Sequence, residues 1–223
     1  MGDRARFFAY YKFEQSEIST SFTVGLKYSV IHSYNKNQKS QRTMLISEKV
    51  DRLRQQGQMT ETEALALFDE LEPVDSDFMM GRWQGSEFPT GHPMDGLLAA
   101  SNWYGKEFVD PDTVHPLLFL DNSGQIIKIS PNPLFMNLAL NMQIPRNDVL
   151  KPIYTFLNSL QKTDKSQARL RMVDYRGKTS ATMIYDYLPI HDVFRKIDDR
   201  TVLGLMDYKA SKRPYFFQLR REG

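Results

Sequence analysis

The sequence predicts a mainly β protein: an antiparallel β-barrel with helical additions, preceded by an N-terminal helical hairpin. Three observations lead there. From Gly81 onward, short runs rich in branched and aromatic residues recur about eight or nine times, separated by turn residues, a pattern typical of barrels and sandwiches. Aromatics make up 12% of the chain, with 14 Phe and 11 Tyr, which suits pleated walls or a lined pocket. The first run, GRWQGSEF, sets one of the two tryptophans between glycines, and the last, YFFQLRRE, ends in arginines able to meet that indole if the sheet closes on itself.

Taken in order, residues 1–43 carry an excess of Lys and Arg and end in the polar tract SYNKNQKSQRT, so a poorly ordered leader is expected, with Met44 a candidate natural start. Residues 44–80 read as a helical hairpin. Ser47 is the expected cap of a helix burying Val50 and Leu53, with Gly57 as its stop, and Thr60 and Glu63 form a capping box for TETEALALFDEL. In the second helix the apolar stripe reads Leu65, Phe68 and Leu71. Residues 81–223 then form the barrel. GRWQGSEF, WYGKEFV, HPLLFLD and QIIKIS read as strands, PMDGLLAAS as a short helix starting at Pro93, and residues 131–163 as a helical insertion. ARLRMVDY and TSATMIYDY form a hairpin about Arg176-Gly177, followed by VFRKID, TVLGLMDY and YFFQLRRE.

Composition excludes several function classes. No cysteine is present, which removes disulfides, thiolate nucleophiles and cysteine zinc sites. A formal net charge of +2 creates no field that draws a protein onto nucleic acid or an anionic membrane. No apolar run approaches the ~20 residues of a spanning helix. FFAYYKFEQSE near the N-terminus lacks the apolar core of a secretory signal, so a cytoplasmic protein is expected.

Glycine beside a strand tryptophan lets neighbouring backbone approach the ring, and the indole can plug a small barrel. Gly81, Gly85 and Trp83 are therefore assigned to barrel closure. Tyr215, Phe217, Leu219 and Arg221 share one face of the last strand, which makes Arg221 the expected partner of Trp83. This pairing of Gly-x-Trp with a terminal-strand Arg is similar to the lipocalin and fatty-acid-binding barrels. More closely, GRWQGSEFPTGHPMDGLLAASNWYGKEF with VHPLLF resembles the bacterial family named for its Gly-x-Trp-x-Gly motif. MVDYRGKTSATMIYDYLPIHDVFRKIDDRTVLGLMDY and YFFQLRR resemble the domain of unknown function that follows it. The resemblance implies a lipocalin-like fold and no specific activity. Nitrobindins, haem-binding barrels, share the three-letter spacing, but a further glycine there is Glu87 here.

Site candidates are drawn from the later strands. Arg171, Tyr175, Tyr185 and Tyr187, with His115 and Trp103, are the expected ligand-binding set, Arg holding a carboxylate or carbonyl and Tyr donating. The same side chains on an outer face would instead form solvated cross-strand pairs. Tyr185, Asp186 and His191 are the candidates if the cavity catalyses an isomerisation or hydration, with the carboxylate as base. His191 is the expected iron ligand if haem binds, and otherwise no cofactor or metal is expected. His92, beside Asp95, reads as either a turn-bonding histidine or a site residue. Met94, Leu97 and Leu98 form the underside of an expected lid, and Met136, Met142 and Met172 are candidate deformable lining. The expected function is non-covalent binding of a small apolar or amphipathic molecule.

Overall fold

The structure, a computed structural model, describes residues 37–38, 40–53, 55, 57, 59–132 and 161–223. The expected leader, apart from its last helical residues, and most of the 131–163 insertion, with Met136 and Met142, lie outside the described residues. The chain divides after Leu45, and the unit Ile46–Gly223 carries the barrel. Among the described residues no helix is long and apolar enough to cross a membrane.

Within this unit the first helix, α1, runs over residues 46–53. Ser47 lies inside helical residues rather than capping them, and Gly57 follows with φ +85°. Helix α2 (Glu61–Glu70) has the full capping box: Glu63 N–H donates to Thr60 Oγ1, and Thr60 N–H donates to Glu63 Oε2 at 2.9 Å. Its buried stripe is Ala64, Leu67 and Phe68, continued by Leu71, with Leu65 only partly covered. That stripe and Val50 pack against the outward residues Val193, Leu203, Leu205 and Phe216, so the helices cover one outer wall of the barrel.

Among the described residues ten strands form one sheet. After β1 (Glu72–Pro73) and the single-turn α3 (Ser76–Met79), capped by Asp75, come β2 (Gly81–Glu87), the short helix α4 (Leu97–Ala100), β3 (Trp103–Asp110), β4 (Thr113–Leu120) and β5 (Ile126–Lys128). Then follow β6 (Ala168–Tyr175), β7 (Lys178–Tyr185), β8 (Ile190–Lys196), β9 (Thr201–Tyr208) and β10 (Tyr215–Arg221). Eight of them close an antiparallel barrel in the order β8-β7-β6-β4-β3-β2-β10-β9, with β9 returning to β8. β5 extends β4 outside the ring, and β1 joins β8. Sheet structure thus begins at residue 72, within the segment read as a helical hairpin. The β4–β6 seam is narrow, with Val114↔Ala168 as its register pair and the Ser166 hydroxyl accepting from Val114 N–H at 3.1 Å. Between β6 and β7, Arg176 and Gly177 both have positive φ, 50° and 75°, as a two-residue type I′ hairpin requires.

One end of the barrel is plugged by the motif. Trp83 is fully buried, its indole N–H donates to Met79 O at 2.8 Å, and the Arg221 guanidinium stacks 4.3 Å from its ring centre. Arg221 also donates to the carbonyls of Met80 and Phe78, tying the α3 turn to the last strand. Gly81 sits at φ +103° beside Arg221. Gly85 serves the other indole: a Cβ there would lie 2.1 Å from Trp103 Cζ3, so only glycine lets that ring lie against the β2 backbone.

Candidate functional site

Four residues along β10 from the Trp83 plug, the interior holds a small cavity of about 50 Å³ that opens toward solvent. Its wall is aromatic and aliphatic, with Trp103, Tyr185, Tyr215, Phe217 and Met206 prominent. Among the described residues one basic and one acidic side chain stand in that wall, Lys106 from β3 and Asp192 from β8, 3% and 1% exposed. Lys106 Nζ donates to Asp192 Oδ2 at 2.8 Å and to Pro116 O at 3.1 Å. The ammonium is otherwise ringed by π-faces, 4.9 Å from the Phe217 centre, 5.7 Å from Trp103 and 5.8 Å from Tyr185.

Strand geometry explains the meeting. β3 shifts register between Trp103 and Gly105 and again before Glu107, and these bulges let Trp103 and Lys106 both face inward although their spacing is odd. On β8, strict alternation sends Ile190, Asp192 and Phe194 inward and Val193 outward to the helices.

Electrostatics sets the protonation of this wall. Burial pushes the Asp192 carboxyl above its ordinary range, opposed by the Lys106 ammonium. Burial, reinforced by the Asp192 charge, raises Tyr185 well above 10, so its hydroxyl remains a donor. Of the five buried side-chain atoms without a hydrogen-bond partner among the described residues, two belong to this wall, Asp192 Oδ1 and Trp103 Nε1. Buried polar atoms are rarely orphaned, and both belong to cavity-lining side chains.

The rim is fastened by carboxylates. Glu87 accepts from Gly96 and Leu98 N–H at 2.9 Å each and from Ala99 N–H at 3.3 Å, capping α4. Burial nevertheless raises Glu87. Asp95 accepts from the amides of Thr90, Gly91 and His92. Met94 and Leu98 thereby reach the cavity, whereas Leu97 packs in the core and Pro93 lies in a turn ahead of the helix. His92 bonds the turn, its Nδ1 accepting from Met94 N–H at 3.1 Å. Burial holds its imidazole below the usual value.

Of the side chains expected to bind ligand or catalyse, Tyr185 and Trp103 line the cavity. The others stand elsewhere. Arg171 is exposed on the outer face of β6, where its guanidinium donates to Pro111 O and pairs with Asp112. The β6 residues that point inward are Ala168 and Leu170, one step out of phase with Arg171 and Tyr175. Tyr175 packs partly buried with the helices on the outer wall, Met172 is exposed, and Tyr187 is 77% exposed beyond the end of β7. Asp186 pairs with Arg169 at 2.6 Å on the outside. His115 is buried beside Lys128 and Glu107 and is not among the lining residues. His191 is exposed, paired in register with Ile184 and Asp207, and its neighbour Asp192 is the one that turns inward.

This placement bears on haem. Among the described residues the cavity wall holds no imidazole, and its one carboxylate is already bonded to an ammonium. Those residues do not fit a haem iron. Among the described residues no group of three or more His, Cys, Asp or Glu gathers to hold a metal ion.

Comparison with known proteins agrees with the fold. A family model described as GXWXG protein matches residues 66–124, and one described as Domain of unknown function (DUF4334) matches residues 166–221. The chain is similar to the crystal structure of a protein from Thermomonospora curvata, at 34% identity over 80% of this chain and 99% of that one, with a TM-score of 0.58. No curated protein matches it. With both models in order and a relative spanned over nearly its whole length, the chain belongs to the GXWXG family, with the companion domain of unknown function completing its barrel.

Proposed function

We propose that the barrel binds, without covalent change, a small and largely apolar molecule that carries one uncharged polar group. The observation that carries this reading is the pair of buried, partnerless atoms, Asp192 Oδ1 and Trp103 Nε1, in an otherwise apolar aromatic wall. Each such atom costs about 1–3 kcal/mol while unbonded. A ligand that bonds both relieves that cost on entry, and its apolar body gains about 25 cal/mol for each Å² removed from water. A few placed polar groups in an apolar concavity are the usual make-up of a small-molecule site.

The test is a thermal-shift screen of the whole chain against fatty acids, terpenoids and tetrapyrroles, repeated with Leu98→Trp, which fills the cavity from α4. Saturable upward shifts that vanish in the variant are expected. No shift across the panel would contradict the proposal.

A second reading has its own support. The buried carboxylate of Asp192, raised by desolvation, has one oxygen without a partner in the wall that Tyr185 also lines, and such a group can take up and return a proton. The acid–base roles considered for Asp186 and His191 pass in this reading to Asp192. Recovery of a chemically altered ligand from wild type but not from Asp192→Asn would favour it; unaltered ligand from both would leave binding alone.

A further inference from the structure

Resting on the binding reading, we infer that the cavity selects neutral hydroxyl-bearing molecules over carboxylates, with Asp192 as the residue that sets the preference. Lipid-binding barrels that hold an anionic head need an uncommitted cation inside. Among the described residues Lys106 is the one cationic side chain in the cavity wall, and it is already bonded to Asp192 Oδ2 at 2.8 Å and to Pro116 O at 3.1 Å. Aromatic rings of Phe217, Trp103 and Tyr185 surround the ammonium. The pair is neutral as a unit.

What remains to the ligand is one acceptor, Asp192 Oδ1, and one indole donor, Trp103 Nε1, both beside that ammonium's environment. A hydroxyl suits either atom, since it can donate to the carboxylate and can accept from the indole. A ketone can accept from Trp103 but leaves Oδ1 bare. A carboxylate brings a second anion against Asp192 in a dry, weakly screening interior and has no proton to give it. Tyr185 adds a hydroxyl that burial and the Asp192 charge keep protonated, so it too serves a neutral head.

Three probes of matched chain length decide the matter: 1-octanol, 2-octanone and octanoate, titrated into the full chain at pH 7.5. Octanol is expected to bind at least ~10-fold more tightly than octanoate, with octanone between them. In Asp192→Asn the Lys106 ammonium loses its counter-charge, and the order should invert in favour of octanoate. Should that variant not fold, acidification of wild type from pH 7.5 to about 5 serves instead. Octanoate affinity should rise as acidification protonates the probe and relieves its repulsion by Asp192, while octanol affinity stays flat. Octanoate binding as tightly as octanol at pH 7.5, or no gain on acidification, overturns the selectivity and leaves the cavity as a binding site. Binding of none of the three overturns the binding reading and this inference with it.

Discussion

Replacing Lys106 by methionine strips the charge from Asp192's partner while keeping an apolar stem of similar length. A carboxylate stranded in an apolar interior takes up a proton rather than stay ionised. The cost of that protonation is set by the distance from its ordinary value of 3.8, at about 1.36 kcal/mol per pH unit. It comes to about 4.4 kcal/mol at pH 7 and about 1.6 kcal/mol at pH 5. The first figure falls within the ~3–5 kcal/mol lost when one member of a buried pair is removed. In wild type, burial already raises the folded value above the unfolded one. The Asp192 contribution is therefore full below about pH 3.8 and is lost as pH rises through the folded pKa; removing Lys106 moves that loss to higher pH and enlarges it. Substituting both residues, Lys106→Met with Asp192→Leu, should return most of the stability, since apolar replacements of whole buried pairs are commonly neutral or stabilising. Urea denaturation followed by tryptophan fluorescence at pH 7 and pH 5 measures all of this. A single variant within about 1 kcal/mol of wild type at both pH values, or a double variant as weak as the single, would refute the reasoning.

Three further outcomes are expected from the geometry. Trp83→Ala empties a fully buried indole site and should cost about 3–5 kcal/mol in urea denaturation; retained stability with lost ligand binding would mean that the motif serves the ligand rather than the fold. Gly85→Ala drives a methyl into Trp103 and should cost about 1–3 kcal/mol while weakening binding of the octanol probe; a variant like wild type in both respects contradicts the close approach. Neutral His92 contributes stability that is full above pH 6.5 and is lost as pH falls through its depressed folded pKa, because burial opposes the charge more than Asp95 supports it. Wild type should therefore weaken between pH 7 and 5 more than His92→Gln does, and equal slopes for the two proteins would remove His92 from the explanation.

Much of the barrel is legible in the residues. The order of short strands, the Arg176-Gly177 turn and the Thr60–Glu63 box are local signals whose chemistry does not depend on distant packing. Alternation along YFFQLRR puts Tyr215, Phe217, Leu219 and Arg221 on one face, and antiparallel pairing with β2 then sets Arg221 opposite Trp83. The site was harder to read for three physical reasons. The bulges in β3 reset the phase between Trp103 and Lys106, so counting by twos hides the lysine. β8 begins at Ile190, before the VFRKID run that draws the eye, and one residue of phase separates the inward Asp192 from the exposed His191. On β6 the alternation alone is symmetric between Leu170 and Arg171, and the outward phase shows only at the strand's end, where Tyr175 packs with the helices. The motif itself divides in two. Trp83 closes the barrel, and Gly85 makes room for the second tryptophan at the cavity.

That division permits a direct test of the binding site, because two tryptophans give two indole N–H resonances in a proton–nitrogen correlation spectrum. The Trp83 N–H is bonded to Met79 O, whereas the Trp103 N–H has no partner among the described residues. Titration of the isotopically labelled chain with 1-octanol should shift the Trp103 resonance, as its N–H gains an acceptor, and leave the Trp83 resonance where it is. A titration that moves Trp83 alone, or neither indole, would contradict a ligand site built on Trp103 and Asp192.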